Sequence, residues 1–406
     1  QHFLWRSKTY GNGMYKSTCE ALDEQGNPLA GKPYNAQGTK DDPKISASQS
    51  YLVSFFGRVN YIALNRYMIT ATVRGDGSSR FAPGRKWGLF PSVALGWKIK
   101  EEAFLRDVSA VSDLKLRLGW GITGQQEINQ GDFPYLATYT NSGIISTSNY
   151  YGAVTDENGN PYMCYRPDAY NSELTWEKTT TYNAGIDFGF LHNRINGNID
   201  YYFRKTTDLI NVVDVPTGTN FRNRLVSNVG SLTNMGVEFS LNAVAIDTKN
   251  FRWDIGVNVA WNQNKITDLA GGKDNPDYMI ETGGIGIGTG NYIQAHKVGY
   301  PASSFYVYET TKDEFTGDLK IVDRNNDGVI DGKDRYFYHS PAAPVTLGAN
   351  MKFQFYGFDL GFNLRANIGN YVYNEVLAGN LQWVENYYSD QSGGFHGILR
   401  SCYDIN

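Results

Sequence analysis

The stretch DRNNDGVIDGKD, Asp323 to Asp334, carries the residue types and the spacing of a calcium-binding loop. Calcium takes about six to eight oxygens, and a twelve-residue loop presents them from positions 1, 3, 5, 7, 9 and 12. Those positions are Asp323, Asn325, Asp327, the Val329 carbonyl, Asp331 and Asp334. Gly328 at the sixth place permits the sharp turn, and Ile330 at the eighth can anchor the loop inward. The twelfth residue is Asp rather than Glu, so its carboxylate has a shorter reach for bidentate binding. The same Asp, Asn and Gly residues also suit a polar Asx-turn hairpin that holds no metal. A bound Ca2+ here would rigidify a loop; it would not drive a reaction.

Other clusters that could carry chemistry are weaker. GDGSSR, Gly75 to Arg80, has neither the lysine of a phosphate loop nor a following helical pattern, and reads as a hairpin tip. His2, His192, His296, His339 and His396 are scattered, with no HExxH spacing, and no GxSxG elbow marks a nucleophile. The chain is therefore not expected to be an enzyme. Cys19, Cys164 and Cys402 match no zinc spacing, and an odd count leaves at least one without an internal disulfide partner. Aromatic residues between the expected strands carry more weight: Trp87, Tyr150, Tyr151, Tyr162, Tyr165, Trp383, Tyr387 and Tyr388. Such rings could stack on sugars along an entry route, pack loop against loop, or meet a capping partner.

The elements that must position these residues are strands. The 406 residues include 29 Tyr, 21 Phe, 8 Trp and 44 Gly, a composition that suits strands with one apolar and one polar face. FRWDIGVNVAWN, Phe251 to Asn262, alternates strictly: Phe251, Trp253, Ile255, Val257, Val259 and Trp261 on one face, Arg252, Asp254 and Asn258 on the other. Ile195–Arg204, Leu114–Thr123 and Phe358–Asn367 follow the same code. Strands of soluble sheets average about five or six residues, whereas about nine to eleven cross a bilayer obliquely. Trp253 and Trp261 are eight residues apart, roughly 26 Å along a strand. At a tilt near ~40° that is about 20 Å of membrane height, close to the apolar band of a barrel wall with aromatic rims.

Link lengths agree. Short links (ALNR before Tyr67, LHNR before Ile195, AIDTKN before Phe251, YG before Phe358) alternate with long ones at 75–86, 124–173, 207–228 and 265–343; the link at 100–113 is intermediate and partly helical. Short periplasmic turns and long extracellular loops are the rule for outer-membrane barrels. The expected fold class is all-β, an antiparallel transmembrane β-barrel with about ten strands in this chain. Residues 51–376 would form its hairpins and 265–343 the longest outer loop, bearing the calcium-like motif. Residues 1–50 and 377–406 would be further outer-loop segments. No run of eighteen apolar residues predicts a membrane helix. The 37 Lys and Arg are spread singly among 41 Asp and Glu, so no basic face for nucleic acid is expected.

RYMITATVRGDGSSRFAPGRKWGLFPSVALGWKI resembles the SusC/RagA group of TonB-dependent outer-membrane transporters. LKLRLGWGITGQQEI, LTWEKTTTYNAGIDFGFLHNRINGNIDYYFRKTTDLI, LVSNVGSLTNMGVEFSL and VDRNNDGVIDGKDR follow in the family's order. The resemblance implies a bacterial outer-membrane barrel of about 22 strands with a plug and a TonB-contacting segment. It further implies a SusD-type surface lipoprotein as lid, energy from the TonB–ExbB–ExbD system, and import of oligosaccharides or peptides. Pairing of two barrel–lid units fits it too. A surface glycan or matrix binder that transports nothing is the alternative. The sequence shows no plug-like or TonB-box segment and no terminal aromatic strand, so it resembles an internal or C-terminal-side portion of such a protein.

Overall fold

The computed structural model describes residues 50–127, 133–144, 163–215, 224–269, 277–286, 292–312, 317 and 319–375. Ten strands form one sheet whose order follows the chain: β1 (Leu52–Ala63), β2 (Tyr67–Ser78), β3 (Trp87–Lys98), β4 (Val111–Gln125), β7 (Glu177–Phe190), β8 (Ile195–Thr207), β11 (Ser231–Asp247), β12 (Phe251–Asp268), β19 (Val345–Phe355) and β20 (Phe358–Ile368). Each strand pairs antiparallel with the next. The outer segments hold strands of their own. These are β5 (Tyr139–Ile144) with β6 (Met163–Pro167), and β9 (Ile210–Asp214) with β10 (Arg224–Asn228). Between β12 and β19 lie β13 (Met279–Gly284), β14 (Tyr292–Lys297), β15 (Ser304–Tyr308), β16 (Thr310–Lys312), β17 (Leu319–Ile321) and β18 (Arg335–Phe337). Of these, β13, β14, β15 and β18 make a four-stranded sheet.

Alternation puts the two faces of the wall in different solvents. Ile69 opposes Leu95 and Leu95 opposes Leu118 across the ladder, a side-chain row that stays exposed in the isolated chain. An apolar row of this kind has no reason to face water; it faces lipid. Aromatic pairs bound that row at both ends. Near the short turns, Tyr67 stacks on Trp97 at 6.4 Å and Trp253 on Phe353 at 5.4 Å. Near the long loops, Phe55 stacks on Trp87 at 6.1 Å, and Tyr182 lies 6.4 Å from Phe203. Trp87 and Trp97 share one face of β3, ten residues apart. That is about 33 Å of strand and about 25 Å of height at a tilt near ~40°, the height of a barrel's apolar band.

The opposite face is polar. Arg117 Nη2 lies 2.7 Å from an oxygen of Asp187 and 2.9 Å from one of Asp200, joining three strands, and Arg74 pairs with Asp76 at 2.8 Å. The short link after β1 is a three-residue turn, Leu64 to Arg66, closed by the Arg66 N–H on the Ala63 carbonyl at 3.1 Å. Leu64 and Asn65 both have positive φ there, 51° and 55°, the handedness that a tight hairpin between twisted strands requires.

Several strands outrun their sequence-based limits. β12 continues to Asp268, seven residues beyond Trp261, so that Trp marks the membrane rim and not the strand's end. Eighteen residues at a tilt near ~40° rise about 45 Å, so the outer part of β12 stands clear of the bilayer. Its polar alternation there (Gln263, Asn264, Lys265) is what a strand in water on both faces carries. The link after β3 is only a 3₁₀ turn, Ile99–Glu101, with Lys100 Nζ donating to the carbonyls of Leu105, Arg106 and Val108.

Candidate functional site

The outer ends of the wall carry the material for recognition. The one packed apolar cluster among the described residues sits at this end: Phe81, Phe90, Leu174 and Trp176, with Ile122, Ile210 and Val226 against it. Phe81 and Leu174 have no exposed surface. The Trp176 ring lies 5.2 Å from Phe81 and 5.4 Å from Phe90, and its Nε1–H donates to the Lys86 carbonyl at 3.0 Å. Asn228 ties the next loop in: its amide donates to the Thr175 and Asp208 carbonyls and accepts from the Thr175 N–H. Asn171 donates to the Val226 carbonyl at 3.0 Å, and Arg85 pairs with Glu173. Loops far apart in sequence thus form one collar at the mouth of the wall.

Within 269–344 the four-stranded outer sheet is fastened to the wall. The Gly299 N–H donates to the Ile266 carbonyl, the Ile266 N–H to the Tyr300 carbonyl, and the Asn262 N–H to the Pro344 carbonyl. Asn264 accepts from the Ala302 N–H at 2.8 Å. An aromatic stack runs through this sheet, with Phe337 4.2 Å from Tyr300 and 4.9 Å from Tyr306. His296 on β14 is half-buried and accepts the Ser303 N–H on Nδ1 at 3.1 Å; partial burial pulls its pKa below the ordinary histidine value.

The turn at Asp323–Asp334 lies beside that sheet. Asp323 accepts the Gly328 N–H, Asn325 the Asp327 N–H, Asp327 the Val329 N–H and Asp331 the Lys333 N–H, each at 2.8 or 2.9 Å. Asp334 is fully buried and accepts from the N–H groups of Asp331 and Arg324. The Asp331 N–H, foremost, and the Arg324 and Asn325 N–H groups hold its carboxyl below the usual range, against the opposing effect of burial. Gly328 has φ of 81° and nothing near its Cβ position, as the sharp turn at the sixth place demands. Among the described residues no group of three or more acidic, His or Cys side chains converges at metal-binding separation. One observation fits a cation nonetheless: Asp323 Oδ1 is buried with no hydrogen-bond partner, next to Asp334. A bound ion would need the Asp327 and Asp331 carboxylates to turn toward it.

Of the aromatic residues singled out in sequence, Trp87 opens β3 on the lipid-facing side, 60% exposed and stacked on Phe55. Tyr165 lies in β6, opposite Asn141. Tyr150, Tyr151, Tyr162, Trp383, Tyr387 and Tyr388 fall outside the described residues, as do Cys19 and Cys402; Cys164 lies in β6. Sequence reading missed the aromatics that the structure does gather, Tyr292, Tyr306 and Tyr308 around a cavity of about 440 Å³. Strand-like alternation in YIQAHK and SFYVY was the available signal, hidden inside a stretch read as loop.

A long-stranded antiparallel wall with a lipid face, a polar face and interlocked outer loops defines an outer-membrane barrel protein. Comparison with known proteins makes the class specific: residues 3–370 match the family described as TonB dependent receptor-like, beta-barrel, and the chain belongs to it. TonB-dependent receptor SusC of Bacteroides thetaiotaomicron is 53% identical over 335 residues, covering 82% of this chain and 32% of the relative. TonB-dependent receptor P26 of Formosa agariphila is 32% identical over 354 residues, covering 84% and 34%. The RagAB peptide importer in its open-open state superposes with a TM-score of 0.70 at 26% identity, over 90% of this chain and 36% of that one. The chain spans about a third of the length of the curated relatives it matches. Its wall belongs to a SusC/RagA-type barrel of the outer membrane.

Proposed function

We propose that the intact protein actively imports large nutrients, oligosaccharides or peptides, across the outer membrane. The wall described here would form part of its barrel, a SusD-type lipoprotein would cap it, and the TonB–ExbB–ExbD system would power it. The single observation that carries this reading is the 53% identity to a TonB-dependent receptor over 335 residues, 82% of this chain. No catalytic role is assigned. Tyr150, Tyr151, Tyr162, Tyr165, Trp383, Tyr387 and Tyr388 are proposed to face cargo or the lid, whereas Trp87 lies on the lipid face and drops out of that set; two barrel–lid units are proposed to pair. Cells carrying the intact protein should accumulate oligosaccharide or peptide only while the TonB-contacting segment is present. Uptake that survives deletion of that segment would point to passive diffusion, and a surface binder would move nothing across a liposome wall.

The same reading gives the turn at 323–334 a supporting part. Hard oxygen donors, the right spacing and the orphaned Asp323 oxygen favour Ca2+ as a brace of the outer loop. Ligation would fall to Asp323, Asn325, Asp327, the Val329 carbonyl, Asp331 and Asp334. Hydrogen exchange in millimolar Ca2+ against chelator should then show slower amide exchange across 323–335 with the ion. Identical exchange in both would leave only a polar turn.

A further inference from the structure

We propose that a groove on the lipid face of β1 to β4, at the short-turn end of the wall, binds one diacyl phospholipid of the inner leaflet. The inference rests on the membrane wall and not on what the barrel carries. Two side-chain rows cross these strands. The rim row runs Ala63, Tyr67, Trp97 and Leu116; the row two residues further into the bilayer begins at Tyr61 and ends at Leu118. Both rows line one cavity of about 470 Å³, and none of its lining residues is charged. That volume is in the range of a small-molecule site, roughly 300–1,000 Å³. Aromatic side chains set the depth of a barrel at its rim, yet β1 places Ala63 there, directly opposite Tyr67. The small methyl leaves the row incomplete where a ring would otherwise fill it. The hollow opens onto the lipid interface of the wall, so its occupant is a hydrocarbon chain.

A polar cluster fixed at its mouth distinguishes this hollow from ordinary wall. Glu102, just beyond the 3₁₀ turn, accepts from the Tyr67 hydroxyl at 2.6 Å, from Trp97 Nε1–H at 2.9 Å and from Arg66 Nη1 at 2.9 Å. Three bonds on one carboxylate hold both rim rings in place before a lipid arrives, so little ring freedom is lost on binding. The Arg66 guanidinium lies 5.8 Å from the centre of the Tyr67 ring, and its side chain stays partly exposed. Its Nη1 is taken up by Glu102 and the Glu101 carbonyl, which leaves the Nη2 hydrogens to meet a phosphate oxygen. A cation at the mouth of an apolar groove is the arrangement that receives a headgroup together with its acyl chain. Depth selects the source of that phosphate. Short turns mark the periplasmic end of a barrel, so the groove faces phospholipid and not the lipid A of the outer leaflet.

The test is native mass spectrometry of the intact protein released from a mild detergent. Spectra are taken before delipidation and again after titration with phosphatidylethanolamine or, separately, lipid A. The parent should retain one phospholipid per barrel and regain it from phosphatidylethanolamine but not from lipid A. Ala63→Phe, which completes the rim row with a ring, should remove that lipid. Arg66→Gln should weaken it about tenfold, the scale of one hydrogen bond to a charged group. Leu360→Phe, at an exposed apolar position of β20 opposite Phe353, is the control and should bind as the parent does. Heat-modifiable migration on gels shows that each variant is folded. The proposal falls if the parent retains no stoichiometric phospholipid, if lipid A is preferred, or if either folded test variant binds as the control does. It falls equally if Ala63→Phe separates paired barrels and leaves the bound lipid unchanged, because the groove would then be an interface between two copies.

Discussion

Gly185 shows how a single residue without a side chain sustains the polar face of the wall. A Cβ there would stand 2.2 Å from Asp200 Oδ1 and 2.9 Å from Arg117 Nη2. The Arg117 bridge between Asp187 and Asp200 therefore lies across the backbone of β7, in space that only glycine leaves open. Overpacking at such a point costs about 1–3 kcal/mol. Gly185→Ala should lower the thermal midpoint of the intact barrel in detergent, followed by heat-modifiable migration on gels. Gly119→Ala is the control, since its added Cβ would meet only Asn183 Cβ at 3.8 Å. Equal midpoints for the two variants would show that the bridge tolerates displacement. The site residues found by spacing behave differently from those found by packing. Asp323 to Asp334 could be listed position by position from the chain alone, whereas Arg335 and Glu281 are 54 residues apart and meet only because β18 and β13 share a sheet.

At the scale of elements, the outer sheet holds a histidine whose partial burial favours the neutral form. His296 on β14 accepts the Ser303 N–H, and burial lowers its pKa below the ordinary value of 6.5. Because the folded state binds the proton less well than the unfolded one, this contribution to stability is complete above the unfolded pKa. It is lost as pH falls through the depressed folded value. Amide protection across β14 and β15 should accordingly drop as pH falls below the ordinary histidine value, while the wall strands keep theirs. His296→Gln should remove that pH dependence; a pH response unchanged in the variant would assign it to another group. Long outer segments were legible as segments, through the alternation of short and long links. Their internal strands were not, because runs such as TTK or RYF are too short for periodicity to separate a strand from a turn.

For the whole molecule the governing fact is one sheet between two solvents. Apolar side chains that would destabilise a soluble sheet are satisfied by lipid, and the aromatic pairs at both ends set the depth. Single-Trp variants of the intact barrel retaining only Trp87 or only Trp97 should be quenched more by lipids brominated near the glycerol than near mid-chain. Stronger mid-chain quenching for either would move the apolar band off the girdle proposed by the stacks at Phe55 and Tyr67.

The chain by itself determined the wall: alternation over ten or more residues leaves no other way to satisfy both faces, and the link rhythm orders the strands. It also determined the identity of every oxygen in the Asp323 turn, because that chemistry is local in sequence. Only the tertiary structure decided what the outer loops do together. Phe81, Phe90, Ile122, Leu174, Trp176 and Val226 come from four separate motifs and form one buried collar. The cavity among Tyr292, Tyr306 and Tyr308, likewise, exists because four short strands are pinned to the end of β12. Such contacts join residues distant in sequence, and periodicity, which reports only a residue's near neighbours, carries no trace of them.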